Sequence, residues 1–175
     1  MSIEEKLKAM GLALPAAMRF PPNLRVSWRQ VRVVGSRAII AGHGPRAADG
    51  TPFGKPGKVG RDLSIEEGYE AAKATGLAIL GDLKREIGDL DRVVSWIRVL
   101  GMVNSAPGFV GQAAIIDGFT DLMIALFGDD AAICPRAVMG AAELALNAPV
   151  IIEGEVEITG LRNGSKADIG AAVRT

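Results

Sequence analysis

Residues 135–158 read PRAVMGAAELALNAPVIIEGEVEI. The segment opens with Arg136 beside a proline, runs through Val138, Met139 and Leu144, turns at Asn147-Ala148-Pro149, and returns through Val150, Ile151, Ile152, Val156 and Ile158. On the return, Glu153, Glu155 and Glu157 fall on one face while Ile152, Gly154, Val156 and Ile158 fall on the other, the period of a half-buried strand. The pattern predicts a β-hairpin that starts on a fixed positive charge. One of its faces belongs to a core, and the other meets solvent, a ligand or another subunit.

Upstream, Val93 to Val103 is apolar on both sides, as in a central strand with helices on one face and a different cover on the other. Ser64 is placed to cap a long helix in which Ile65, Tyr69, Ala72, Gly76, Leu80, Leu83 and Ile87 recur at helical spacing before Gly88 stops it. Glycine inside a helix costs about 1 kcal/mol against alanine, so Gly76 is expected where helix and sheet come close. Ile115, Phe119, Leu122, Met123 and Leu126 form the apolar side of a second helix ending at Gly128. Nearer the start, β-rich runs from Val26 to Val34 and from Arg37 to Gly42 flank a Gly35-Ser36 turn, and the glycines and prolines from Pro52 to Gly60 mark a long loop. Ser2 and Glu5 have the spacing of a capping box for a short first helix within 1–12.

The order is β-β-α-β-α-β-β behind that helix, in a single domain over 1–160, with 161–175 read as a surface tail. It closes as an α+β two-layer sandwich with both helices on one face of the sheet. The opposite face then stays partly apolar, and self-association is the expected way to cover it.

A chain of 175 residues is long enough for one real core. Lys+Arg 20 balances Asp+Glu 20, so no long-range field favours nucleic acid or an anionic membrane. Cys134, the one cysteine, cannot close an intrachain disulfide, and the N-terminal residues are acidic where a secretory signal would be basic. No apolar run approaches the roughly 18 residues that a membrane span needs. A cytoplasmic protein without membrane or nucleic-acid partners is expected. One histidine and one cysteine offer no zinc spacing, and the glycines at 42–44 and 57–60 lack the Lys-Ser or Lys-Thr ending of a phosphate loop, so no metal or cofactor is expected.

Four segments carry a resemblance: GHGPRAADG (42–50), DLSIEEGYEAA (62–72), VLGMVNSAPGF (99–109) and RAVMGAAEL (136–144). They resemble the Rid family, also called YjgF or L-PSP endoribonuclease, in its chorismate-mutase-like branch, over about residues 1–158. The resemblance implies a chorismate-mutase-like (bacillar type) fold with a mixed sheet and a homotrimer whose sheets line a central barrel, with clefts at the subunit boundaries. It also implies hydrolysis of reactive enamines and imines to keto acids and ammonia. Arg136 matches the residue that holds a substrate carboxylate in that family. The pattern departs from the deaminating members at Ala137 and Val138, where they carry Ser and Cys, and at Ile151, where they place a glutamate. Asp117 replaces an asparagine, His43 a glutamine, and their tyrosine has only Trp28 nearby.

The candidate catalytic residues are therefore Arg136, His43 and Asp117. A guanidinium offers a planar fork to a carboxylate, an imidazole can shuttle a proton near neutral pH, and Asp117 can accept from a substrate amine or pair with Arg136. Gly44, Trp28 and Cys134 join Arg136 as candidate binding residues. Each has a plainer role available: ion pair, structural histidine, solvated acid, buried thiol, or a tryptophan filling a subunit contact. The ligand expected is a small carboxylate bearing a C=N, N–O or enamine group. The alternatives are a lyase for an aromatic hydroxylamino acid and a non-catalytic trimer that binds a metabolite or a protein.

Overall fold

Both capping boxes form: Ser2 with Glu5 starts α1 (Ile3–Ala9), and Ser64 with Glu67 starts α2 (Ile65–Ile87), which Gly88 closes at φ 88°. The computed structural model describes residues 1–20, 23 and 25–160, so the expected tail at 161–175 lies outside the described residues. The strands are β1 (Val31–Val34), β2 (Arg37–His43), β3 (Val93–Asn104), β4 (Arg136–Ala141) and β5 (Val150–Ile158). Between β3 and β4 run α3 (Gln112–Phe127) and a short α4 (Asp129–Ala132).

One mixed sheet results, in the order β1-β2-β5-β3-β4, with β3 and β4 parallel and every other neighbouring pair antiparallel. Helix α2 lies over β1, β2 and β5 while α3 lies over β3 and β4, so both cover one face of an α+β two-layer sandwich. Ile40, Val99, Val103, Ile152 and Val156 from the sheet meet Ile79, Leu80, Leu83, Ile116 and Phe119 from the helices in the buried layer. Burying an aliphatic side chain of this size contributes about 1.5–3 kcal/mol.

The segment 135–158 holds two strands, but they are not a hairpin. β3 lies between β4 and β5, pairing Val99 with Arg136 on one side and with Gly154 on the other. The link from Ala142 to Pro149 steps across the end of β3, with Leu146 and Asn147 at positive φ, instead of making the tight turn that direct pairing requires. The first strand is also shorter than expected. It begins at Val31, and Trp28 precedes it as an exposed ring set edge-on to Phe20 at 5.6 Å.

Gly76 is tight for a reason other than the sheet. A Cβ there would meet Leu122 Cδ2 at 3.0 Å and Met123 Cε at 3.1 Å, both on α3, so the close approach is helix on helix. Ile65, expected inward, is exposed, while Ala71, Ala78, Ile79 and Asp82 are buried, because α2 is covered by both the sheet and α3.

On the sheet face away from the helices, cross-strand neighbours form rows. Met139, Met102 and Ile151 make one row, and Ala137, Leu100 and Glu153 the next. Then come Arg98, Glu155 and Ile39, with ion pairs Arg98–Glu153 at 3.2 Å, Arg98–Glu155 at 3.5 Å and Arg37–Glu155 at 3.1 Å. The face grades from apolar to charged along β3.

Candidate functional site

Arg136 is the first residue of β4, and its side chain points to the helix-covered side of the sheet edge, where α3 passes. Its Nη1 donates to Asp117 Oδ1 at 2.8 Å and to Thr120 Oγ1 at 2.7 Å. The two partners are three residues apart on α3, so one helical face presents both. The Arg136 side chain is 24% exposed and that of Asp117 48%. The structure thus brings together Arg136 and Asp117, which the sequence nominated, and adds Thr120, which it did not.

One turn along α3, Asp121 Oδ2 accepts from the Tyr69 hydroxyl of α2 at 2.8 Å. That bond, with burial and the nearby Asp121 and Asp117 charges adding to it, pushes the Tyr69 hydroxyl up to about 12. Cys134 lies just before the strand; burial pushes its thiol up, and the Arg136 charge only partly offsets this. A thiol held protonated is a poor nucleophile.

His43 lies elsewhere. Between Ile40 and His43 the pairing with β5 slips, placing Ala41 and Gly42 opposite a single residue, Glu153. This bulge reverses the alternation, so that Gly42 faces outward and His43 faces the core. A Cβ on Gly42 would lie 2.9 Å from Ile151 Cγ2, which explains the glycine. The His43 side chain is fully buried, with Nδ1 2.6 Å from Ala41 O and Nε2 3.0 Å from Asp82 Oδ2. No ring nitrogen remains for a ligand.

Asp82 is the hub of that second cluster. It also accepts from Arg46 Nη2 at 2.7 Å and from Arg85 Nη2 at 2.6 Å. Burial pushes its carboxyl up, yet the bonds from His43, Arg46 and Arg85 outweigh burial and hold it well below the usual carboxylate range. Arg46 and Arg85 donate onward to Ala16 O and Pro15 O, tying the N-terminal segment across α2.

Gly44 and Trp28 belong to the β1–β2 side of the sheet. β5 and β3 separate β2 from β4, which at about 4.8 Å per strand places Gly44 roughly 14 Å from Arg136 across one chain. The 47–60 loop is pinned at the far end of β3: Lys58 Nζ donates to Asn104 Oδ1 at 2.8 Å and also to Ala142 O, and Val59 N–H donates to Asn104 O. Two grooves, one lined by Leu7, Leu12 and Lys84 and one by Phe53, Leu63 and Pro149, do not include Arg136. Carboxylates of Glu4, Asp89 and Asp91 gather near α1, but Asp91 accepts from the Ile3 N–H and Glu4 pairs with Lys84, which serves the helix ends. Among the described residues no helix is long and apolar enough to cross a membrane.

Residues 4–154 match the family model described as YjgF/chorismate_mutase-like, putative endoribonuclease. Protein TCP17 of Trypanosoma cruzi is 30% identical over 156 residues, covering 89% of this chain and 94% of that protein. Among solved structures, Atu1372 of Agrobacterium tumefaciens, a protein of unknown function, aligns with a TM-score of 0.79 at 31% identity, over 90% of this chain and 94% of its own. A putative endoribonuclease of Shewanella oneidensis MR-1 aligns with a TM-score of 0.81 at 26% identity, over 90% of this chain and 100% of its own. With a match that runs from the first helix into the last strand, the chain belongs to the YjgF/chorismate-mutase-like, putative endoribonuclease family.

Proposed function

We propose that the protein is a cytoplasmic homotrimeric enzyme of the Rid type, which deaminates or hydrolyses an imine, an enamine or a related nitrogen-bearing carboxylate at a cleft between subunits. The observation that carries this reading is the state of Arg136. Asp117 and Thr120 fix one of its nitrogens, and among the described residues its Nε and Nη2 donate to no other group, so the guanidinium is oriented but not saturated. Such a group can hold a carboxylate through charge-assisted bonds worth about 1.5–3 kcal/mol. Asp117, and not His43, is the titratable group beside it.

The distances support a cleft at a subunit boundary. Neither of the two grooves described above includes Arg136, and Gly44 and Trp28, three or more strands away, would reach a ligand held by Arg136 only from a second copy. The apolar row Met139, Met102 and Ile151 supplies a surface for that copy. Light scattering on the purified protein is expected to give three chain masses, and Met139→Asp, at an exposed edge position, is expected to shift the population to monomer. A wild-type monomer at micromolar concentration would sink the cleft.

The activity test is release of ammonia and keto acid from freshly generated 2-iminopropionate. Wild type should accelerate it, and Arg136→Ala should lower kcat/KM by about 10- to 100-fold, the equivalent of the lost carboxylate bonds. No acceleration by wild type, or equal acceleration by the variant, removes the hydrolase reading. A non-catalytic trimer that binds a metabolite is then favoured by Ile151, which places an aliphatic side chain beside Met102 on the outward face and offers no base there.

A further inference from the structure

We propose that the groove between α1 and α2 is a docking site for this chain's own segment 161–175, with Ile169 and Val173 as its apolar anchors. The proposal is independent of the Arg136 site.

The groove has a volume of about 440 Å³ and lies where α1, the turn at Gly11 and the residues up to Leu14 meet the second half of α2. Leu7, Leu12 and Leu14 form its floor; Leu7 is buried, and the other two are half-buried at the margin of the core. Its rim carries Lys84, paired with Glu4 at 3.1 Å, and the exposed Lys8, which makes no ion pair among the described residues. An apolar floor beneath an uncompensated cation fits a segment that brings aliphatic side chains and a carboxylate together.

The chain leaves the sheet beside this groove. At the end of β5, Arg92 Nε donates to Thr159 O at 3.0 Å and Nη2 donates to Gly160 O. Its neighbour Asp91 accepts from the Ile3 N–H at 2.8 Å, and the carboxylates of Asp91 and Glu4 lie within 4.8 Å of each other. Glu4 is itself a wall of the groove, so Gly160 is joined to it through Arg92, Asp91 and Glu4. Residues 161–175, outside the described residues, read LRNGSKADIGAAVRT. At roughly 3.3 Å per residue they span up to about 50 Å, so reach does not limit them. Arg162 and Lys166 come first, suited to the carboxylates of Glu4, Asp89 and Asp91 between the exit and the groove. Ile169 and Val173 follow with only Gly170, Ala171 and Ala172 between them, and Asp168 beside Ile169 supplies the carboxylate for Lys8. Because exit and groove belong to one chain, the effective concentration is in the millimolar range, and a contact too weak to hold a separate partner is filled.

Hydrogen exchange read by mass spectrometry on the full chain, in its native assembly at neutral pH, tests this. In wild type the amides of 168–174 are expected to exchange at least about tenfold more slowly than in a free peptide of the same sequence. Ile169→Asp combined with Val173→Asp should abolish that protection and speed exchange across 8–14, leaving β3 and α3 unchanged. From the groove side, Leu12→Asp should free 168–174 to the same degree. Should Leu12→Asp fail to fold, Lys8→Glu, an exposed rim position outside the core, should still free the segment in part. Exchange of wild-type 168–174 at the free-peptide rate overturns the proposal. So does protection that the groove variants leave intact, which would place the segment elsewhere. Protection of 8–14 that survives the Ile169 and Val173 substitutions but fades on dilution assigns the groove to a second copy and overturns it as well.

Discussion

Asp82→Asn is expected to destabilise the protein by about 3 kcal/mol or more, and to lower its melting temperature by about 10 °C at fixed protein concentration. The carboxylate is 7% exposed and faces Arg46, itself 4% exposed, with Arg85 and His43 on its other sides. An asparagine keeps the shape but not the charge, leaving the Arg46 guanidinium buried without its counter-ion; breaking a buried pair in this way is far more costly than the pair's net contribution. The loss spreads because Arg46 and Arg85 also hold the backbone at Ala16 and Pro15. The pH dependence identifies the cause. The Asp82 carboxyl titrates lower in the folded chain than in the unfolded one, so its contribution is fully present above the unfolded value of about 4 and is lost as pH falls through the folded value. The gap between wild type and Asp82→Asn should therefore be full at pH 7 and narrow as pH drops below about 4. Thermal scans across that range decide it, and a gap that ignores pH would mean that the amide disturbs local geometry and that the charge is irrelevant.

The positions that sequence reasoning located and those it missed differ in kind. Capping chemistry is local, so Ser2, Ser64 and Gly88 declared the helix ends, and strand alternation declared the buried side of β5. Neighbourhood in a sheet is not local. The 135–158 segment shows two strands to any reader, but nothing within it states that β3 comes between them. One extra residue decides where His43 faces: continuing the alternation of Ala38 and Ile40 would put it outward, and the bulge at Ala41-Gly42 turns it in. Asp82 left a readable signal, a carboxylate three residues after buried Ile79 and three before Arg85, on a helix too long to be covered on only one side. At the candidate site, Arg136 is legible as a residue type suited to a carboxylate, and Asp117 as one suited to an amine or to Arg136 itself. Thr120 could be named only once α3 was known to cross the start of β4, because its i+3 spacing from Asp117 matters only to a partner that approaches that face.

The α2–α3 crossing that places this face leaves no room for an added methyl group at one of its glycines. Gly118→Ala is expected to cost about 3 kcal/mol or more, whereas Gly76→Ala costs about 1 kcal/mol or less. At Gly118 a Cβ would stand 2.1 Å from Tyr69 O and 2.9 Å from Tyr69 C, which are backbone atoms of α2 and cannot rotate away. At Gly76 the obstacles are the tips of Leu122 and Met123 at 3.0 and 3.1 Å, which can give way while alanine returns its helix propensity. Urea midpoints of the two variants should therefore differ severalfold in their displacement from wild type. Because Asp117 and Thr120 lie within two residues of Gly118, a helix displaced there shifts both relative to Arg136. Any Gly118→Ala protein that still folds should release ammonia from 2-iminopropionate more slowly, while Gly76→Ala should match wild type. Equal midpoints, or normal turnover by Gly118→Ala, would mean that the two helices slide past the added methyl group and that Arg136 takes its orientation from something other than α3.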